Sequence, residues 1–407
     1  MSTILLLIIY LAFISLGLPD SLLGASWPVM RTDLGAAMGT AGLLSMTITV
    51  GTIASSLVSG AIIRRFGTGR VTLVSCIMTA GALLGFSYAP SIIWLIVCAI
   101  PLGLGGGAVD AGLNHYVAAR YKAHHMSWLH CFWGVGATAG PIIMAAFLSG
   151  NASWRGGYLA VAGMQFALVL LLFVTLPLWG RVDGKHNAGL GGEQAEAQPL
   201  RDDAGARKPQ HAKGVKYALA SFLFYCGVET TVGLWGSTYL VRIKGLPADE
   251  AAFWVSIYFA GITIGRLITG FVTFKIGNQP LIRAGQITAL AGALLLLLPL
   301  PTGFTLSGLL ITGLGLAPIF PSMLHETPVR FGEAHAQRIM GYQMAVAYTG
   351  STLMPPLLGM LAGFSSIGIF PIYIVIMASA MLLFSERLNL LLKRRHERDD
   401  TIQSILK

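Results

Sequence analysis

Twelve long apolar segments dominate the chain. They span approximately 4–29, 36–63, 70–89, 91–120, 127–150, 153–179, 215–243, 248–275, 279–299, 303–331, 335–363 and 365–391. Each has at least about 20 residues, the length a helix needs to cross about 30 Å of hydrocarbon. Lipid offers a free backbone no hydrogen-bond partner, so segments of this kind must be helical. A β-barrel would show short alternating segments instead. The expected fold class is therefore an all-α membrane protein with twelve transmembrane helices, embedded in a lipid bilayer. Composition agrees. Only 11% of the 407 residues are charged and 55% are hydrophobic, against about 25% charged in soluble domains.

Lysine and arginine set the expected orientation. With both termini in the cytoplasm, twenty-two of them fall on inside segments and four on outside ones: Arg31, Arg155, Arg242 and Lys244. That bias places the termini inside, in a cell's inner (plasma) membrane. It also explains the net charge of +10 without any nucleic-acid partner. Residues 4–29 lack a basic leader region and read as the first permanent helix.

Residues 180–214 break the apolar pattern. They are rich in Gly, Ala, Gln and mixed charge, a composition that cannot build a core, and read as a cytoplasmic linker. The chain then divides into a bundle over 1–179, a second over 215–391, and a cytoplasmic tail over 392–407. The two bundles share a constant offset of 210 residues. GTIASSLVSGAIIRRFG from Gly51 aligns with GITIGRLITGFVTFKIG from Gly261, and the same shift sets Gly103 on Gly313 and Arg120 on Arg330. A fixed offset across two helix pairs points to duplication, and duplicated six-helix halves hold substrate between them near mid-membrane.

Charged side chains at membrane depth are costly, by roughly 2.5–3.5 kcal/mol on insertion scales, and mark substrate or proton paths. Asp110 lies in the glycine-rich run PLGLGGGAVDAGLNHYV, and Asn114 follows one turn later on the same face. Asp20 follows Pro19 in the first segment, with Trp27 near its face. An acid beside an aromatic ring suits a sugar's hydroxyls and C–H faces. Glu229 is a third intramembrane acid, with Trp235 six residues on. Trp254 and Tyr258 share a face of the eighth segment. His130 and Trp133 open the fifth, and Gln343 lies in the eleventh. Each of these has a plain packing alternative. Arg266, one turn from a helix end, reads as a snorkelling structural or gating arginine.

The run GAIIRRFGTGRV and its echo GRLITGFVTFKIG resemble the loops of the major facilitator superfamily. The resemblance implies two pseudo-symmetric six-helix bundles, alternating access, and gating roles for Arg64, Arg65, Arg120, Arg266, Lys275 and Arg330. GGGAVDAGLNHYV and LHCFWGVGATAGP further resemble helices 4 and 5 of the fucose:proton symporter family. That implies a proton-cycling Asp110, with Asp20 as a second acid for coupling or sugar binding; Glu229, from its membrane depth alone, is a third proton-coupling candidate. The family carries a glutamate at Asp110 and amides at His130 and Trp133, which leaves the sugar open and admits Na+ beside protons.

The expected function is thus proton-coupled monosaccharide symport by a monomer. Efflux of drugs or other apolar compounds is the alternative. No cofactor or metal is expected: GLGLGGG lies within a membrane span, so it is no dinucleotide loop, and no Walker lysine or zinc-spaced Cys/His cluster occurs. An enzyme is not expected.

Overall fold

In a computed structural model, residues 2–121, 123–149, 153–189, 212–273 and 275–406 are described. They form fourteen α-helices: α1 (Ser2–Asp33), α2 (Thr40–Phe66), α3 (Thr68–Ser87), α4 (Ile92–Arg120), α5 (Ala123–Leu148), α6 (Trp154–Gly189), α7 (Ala212–Lys244), α8 (Ala248–Val272), α9 (Asn278–Leu297), α10 (Thr302–Leu316), α11 (Ile319–His325), α12 (Thr327–Phe331), α13 (Glu333–Phe364) and α14 (Phe370–Leu406). No strand occurs among the described residues.

Eleven spans are long and apolar enough to cross a membrane, α10 and α11 together making one of them. The twelfth is α13, which has 32 residues. Its hydropathy is diluted by Tyr342, Gln343, Tyr348 and Thr349. Large apolar side chains point outward in a way water would not tolerate, Leu57 at 81% exposure and Phe271 at 68%. The chain is an all-helical multi-pass membrane protein, and twelve crossings bring both termini to one end, here the terminal end.

The two halves repeat one packing scheme. A Cβ on Gly103 would overlap the Ile48 carbonyl, and one on Gly313 the Tyr258 carbonyl. Ile48 and Tyr258 are themselves offset by the repeat. The contact of α2 on α4 therefore recurs as α8 on α10, and only glycine permits so close an approach.

Three boundaries differ from the sequence expectation. Helix α6 continues to Gly189 and α7 begins at Ala212, so of the expected linker only 190–211 lies outside the described residues. Helix α14 carries on to Leu406 through the expected tail. The span expected over 303–331 is broken: α10 stops at Leu316, Pro318 precedes α11, and Pro328 opens α12. A proline interior to a helix removes a hydrogen bond, so the breaks fall beside prolines.

Helix α1 instead runs straight through Pro19 and Pro28. Pro19 has no N–H to give the Ser15 carbonyl. Gln165 of α6 supplies the missing donor, its Nε2 lying 2.8 Å from that carbonyl, while its Oε1 accepts the Thr79 hydroxyl at 2.7 Å.

The halves meet toward the end opposite the termini. There Gly24 of α1 abuts Gly233 of α7, and Gly42 of α2 abuts Pro356 of α13. Helix α5 packs along α8 at Gly134 and Thr263.

Candidate functional site

A central cavity of about 310 Å³ lies between the halves. Its polar wall includes Asp20, Thr52, Trp133, Gln165, Glu229 and Tyr348, drawn from both bundles. Larger hollows lie at the two ends of the molecule, and the central one is lined by Asp20 and Glu229 from the middle of their spans.

Asp20 and Glu229 sit at comparable places on the first helix of each half, one residue off the 210 offset. They are 209 residues apart, as are Gly24 and Gly233, which touch across the same helix pair. Their partners differ. Asp20 accepts the indole N–H of Trp133 at 2.8 Å. Glu229 takes a guanidinium: Arg266 donates to its Oε1 at 3.1 Å and to the Tyr225 hydroxyl at 3.4 Å. Both side chains of this ion pair are 14% exposed. A pair so enclosed is held by mutual attraction that offsets lost hydration. Tyr258 steadies the acid's backbone by donating to the Glu229 carbonyl at 3.0 Å.

Arg266 also lies 5.4 Å from the Trp133 ring centroid. The indole thus offers its N–H to an acid of one half and its face to a cation of the other. The second half has the arginine, whereas the repeat places Ser56 at the matching position of the first. Among the described residues Asp20 has no salt bridge. Ser56 Oγ instead donates to the Gly107 carbonyl of α4 at 3.1 Å.

Asp110 sits on α4 beside this cluster, close enough to interact electrostatically with Asp20 and Tyr348. Asn114 Nδ2 donates to its Oδ1 and to its carbonyl, both at 2.9 Å. The expected one-turn pairing is therefore present. Asn114 Oδ1 is buried without a partner.

The structure brings Asp20, Trp133 and Glu229 to the cavity wall, whereas Asp110 and Asn114, paired with each other on α4, are not among its lining residues. Other expected ligands do not reach the cavity wall. Trp27 is fully buried in the hydrophobic core. Trp235 lies on another face of a continuous α7, and its indole N–H donates to the Pro355 carbonyl at 2.9 Å. Tyr258 is buried behind Glu229, and Trp254 packs against the core. Gln343 is buried and accepts the Thr327 hydroxyl at 2.9 Å. His130 stands edge-on to Phe13, ring centroids 6.1 Å apart, set back from the wall.

The gating candidates also separate. Arg266 does not snorkel: Glu229 lies within reach on the neighbouring helix, so the guanidinium turns inward. Arg64, Arg65 and Lys275 are exposed at the terminal end. Arg120 covers the Tyr116 ring at 4.1 Å. Arg330 pairs with Glu326 at 3.5 Å and donates to Asn389 at 3.4 Å.

Sequence reasoning passed over Gln165, Tyr225 and Tyr348. Gln165 had a usable signal, being the lone amide in an apolar span. The tyrosines had none, since an aromatic hydroxyl in a membrane helix serves packing as readily as a cavity.

A family model described as Major Facilitator Superfamily matches residues 9–336 and, in a second match, 217–404. The chain belongs to the major facilitator superfamily. Among curated relatives it is 23% identical to the yeast (Saccharomyces cerevisiae) Bypass of stop codon protein 6, over 64% of this chain and 55% of that protein. It is 22% identical to the Glucose/mannose transporter GlcP of Bacillus subtilis, over 76% of each. Among solved structures, the D-xylose-proton symporter aligns with a TM-score of 0.72 at 14% identity, covering 94% of this chain and 96% of that one. At that identity the likeness establishes the fold. The two overlapping family matches agree with the repeated halves, and a major facilitator fold places substrate where this cavity lies.

Proposed function

We propose that this protein is a secondary transporter that couples entry of a neutral monosaccharide to protons, with both termini in the cytoplasm of an inner membrane. One observation carries the reading. Arg266 is committed to Glu229, and among the described residues neither Asp20 nor Asp110 has a salt bridge. An acid at that depth with no counter-ion is poised to exchange a proton between the two faces of the membrane. Around it stand hydroxyls, an amide and one indole, the groups that bind a polyol. The curated relative named for glucose and mannose transport supports the substrate class.

Proteoliposome uptake under an imposed pH gradient tests the reading, alongside counterflow at equal pH. A panel of neutral monosaccharides should include at least one that accumulates only with the gradient. Asp110→Asn should abolish accumulation and spare part of the exchange. Asparagine keeps the volume and hydrogen bonding of a protonated acid but cannot release a proton. Accumulation driven equally by Na+ without a pH gradient would replace the proton in this scheme. Uptake of no sugar, with export of apolar cations instead, would overturn it in favour of efflux.

A further inference from the structure

We propose that Arg31 and Arg242 form a binding site for a phosphate oxyanion, supplied by an anionic phospholipid headgroup, at the end of the molecule opposite the termini. A hollow of about 660 Å³ opens there, lined by both arginines together with Gly39, Gly359, Ser365 and Ser366. Arg31 is in the last turn of α1 and Arg242 in the last turn of α7. They come from opposite halves, yet they lie close enough to repel each other.

No carboxylate lines the hollow. Arg31 Nε donates to the Ala36 carbonyl at 3.1 Å. The nearest acid in sequence, Asp33, is taken by Arg155 and by the Trp154 indole N–H at 3.0 Å. Among the described residues neither Arg31 nor Arg242 has a salt bridge. Two guanidiniums facing one void with no counter-ion favour an oxyanion between them, since their planar forks match phosphate geometry.

Depth and surroundings select the source. The membrane spans Thr3–Asp33 and Gly214–Lys244 end at these arginines, which is headgroup level. Phe364, 89% exposed, and Met360, 59% exposed, border the same hollow. An apolar rim beside a cationic floor fits a lipid better than a soluble ion. Because the site is shared by both halves, an occupant favours the arrangement in which they meet at this end. The inference is independent of the transported substrate.

The test is the unfolding temperature of purified protein in a neutral detergent. Phosphatidylglycerol should raise Tm and phosphatidylcholine should not. The rise should vanish in Arg31→Gln/Arg242→Gln. Without lipid, Arg242→Gln alone should melt at or above the wild-type Tm, because it removes a repulsion. An equal rise with inorganic phosphate at matched concentration, lost in the double variant, would overturn the lipid as the source and leave a soluble anion. An equal phosphatidylglycerol rise in wild type and double variant, or none in either, would overturn the site. So would a lipid-free Arg242→Gln that melts well below wild type, since that arginine would then be structural.

Discussion

Trp133 serves two charges with one ring. Its N–H holds Asp20 and its face meets Arg266, so the indole is where the electrostatics of the two halves join. Arg266 in turn depends on Glu229. Glu229→Gln should therefore destabilise the fold by about 3–5 kcal/mol, the usual cost of stranding one member of a buried pair. Glu229→Gln/Arg266→Gln should cost much less, because no charge is left alone. Thermal unfolding of the three proteins checks this, and a double variant as unstable as the single one would rule the pairing out as the cause. A second expectation concerns Trp133→Phe, which keeps an aromatic face for Arg266 but takes the donor from Asp20. Half-saturating substrate concentration should rise while expression and Tm stay near wild type, measured by uptake and unfolding together. The acids were legible in sequence because a charge at membrane depth is too costly to persist without a use. Two of the expected ligands that stand away from the cavity share one physical reason. An indole or an amide can be satisfied by a backbone carbonyl or a hydroxyl, as Trp235 is by Pro355 and Gln343 by Thr327, and no periodicity reveals that partner.

At the scale of the helix, hydropathy reads lipid contact well and cavity contact poorly. It finds all twelve spans, the segment over 335–363 included, but gives no sign that α13 carries Tyr348 to the cavity. The same helix shows why choosing one residue was hard: Gln343 and Tyr348 are five residues apart and so face different ways. Proline has a similar ambiguity. It breaks the span at Pro318, yet α1 crosses Pro19 unbroken because Gln165 answers the Ser15 carbonyl. That repair is testable. Gln165→Leu should cost about 1–3 kcal/mol by leaving the buried Ser15 carbonyl without its donor, the Thr79 hydroxyl keeping the Cys76 carbonyl. Pro19→Ala restores an N–H to Ser15, so it should recover part of that loss in the double variant. A cycle of Tm values whose effects simply add would show that Gln165 stabilises α1 by some other route.

For the whole molecule, the repeat was legible because duplication conserves spacing: Gly103 on Ile48 and Gly313 on Tyr258 are one contact written twice. How the halves lean on each other was not legible, since it depends on contacts between segments far apart in sequence. The closest of those contacts is glycine on glycine. A Cβ on Gly24 would overlap the Gly233 carbonyl where α1 crosses α7. Backbone cannot yield as a flexible side chain can, so Gly24→Ala must move one helix away from the other. The two halves should then separate more readily at the end opposite the termini. A cysteine at Thr52, which lines the cavity, can report this in a background with the four native cysteines replaced. A membrane-impermeant thiol reagent added from that end should label Thr52→Cys several-fold faster when Gly24→Ala is present. Gly163→Ala is the control, because a Cβ there meets nothing within 4 Å, and it should leave the rate unchanged. If Gly24→Ala labels no faster than the control, the contact at Gly24 is not what closes this end, and the packing of α2 against α13 at Gly42 and Pro356 becomes the element that does.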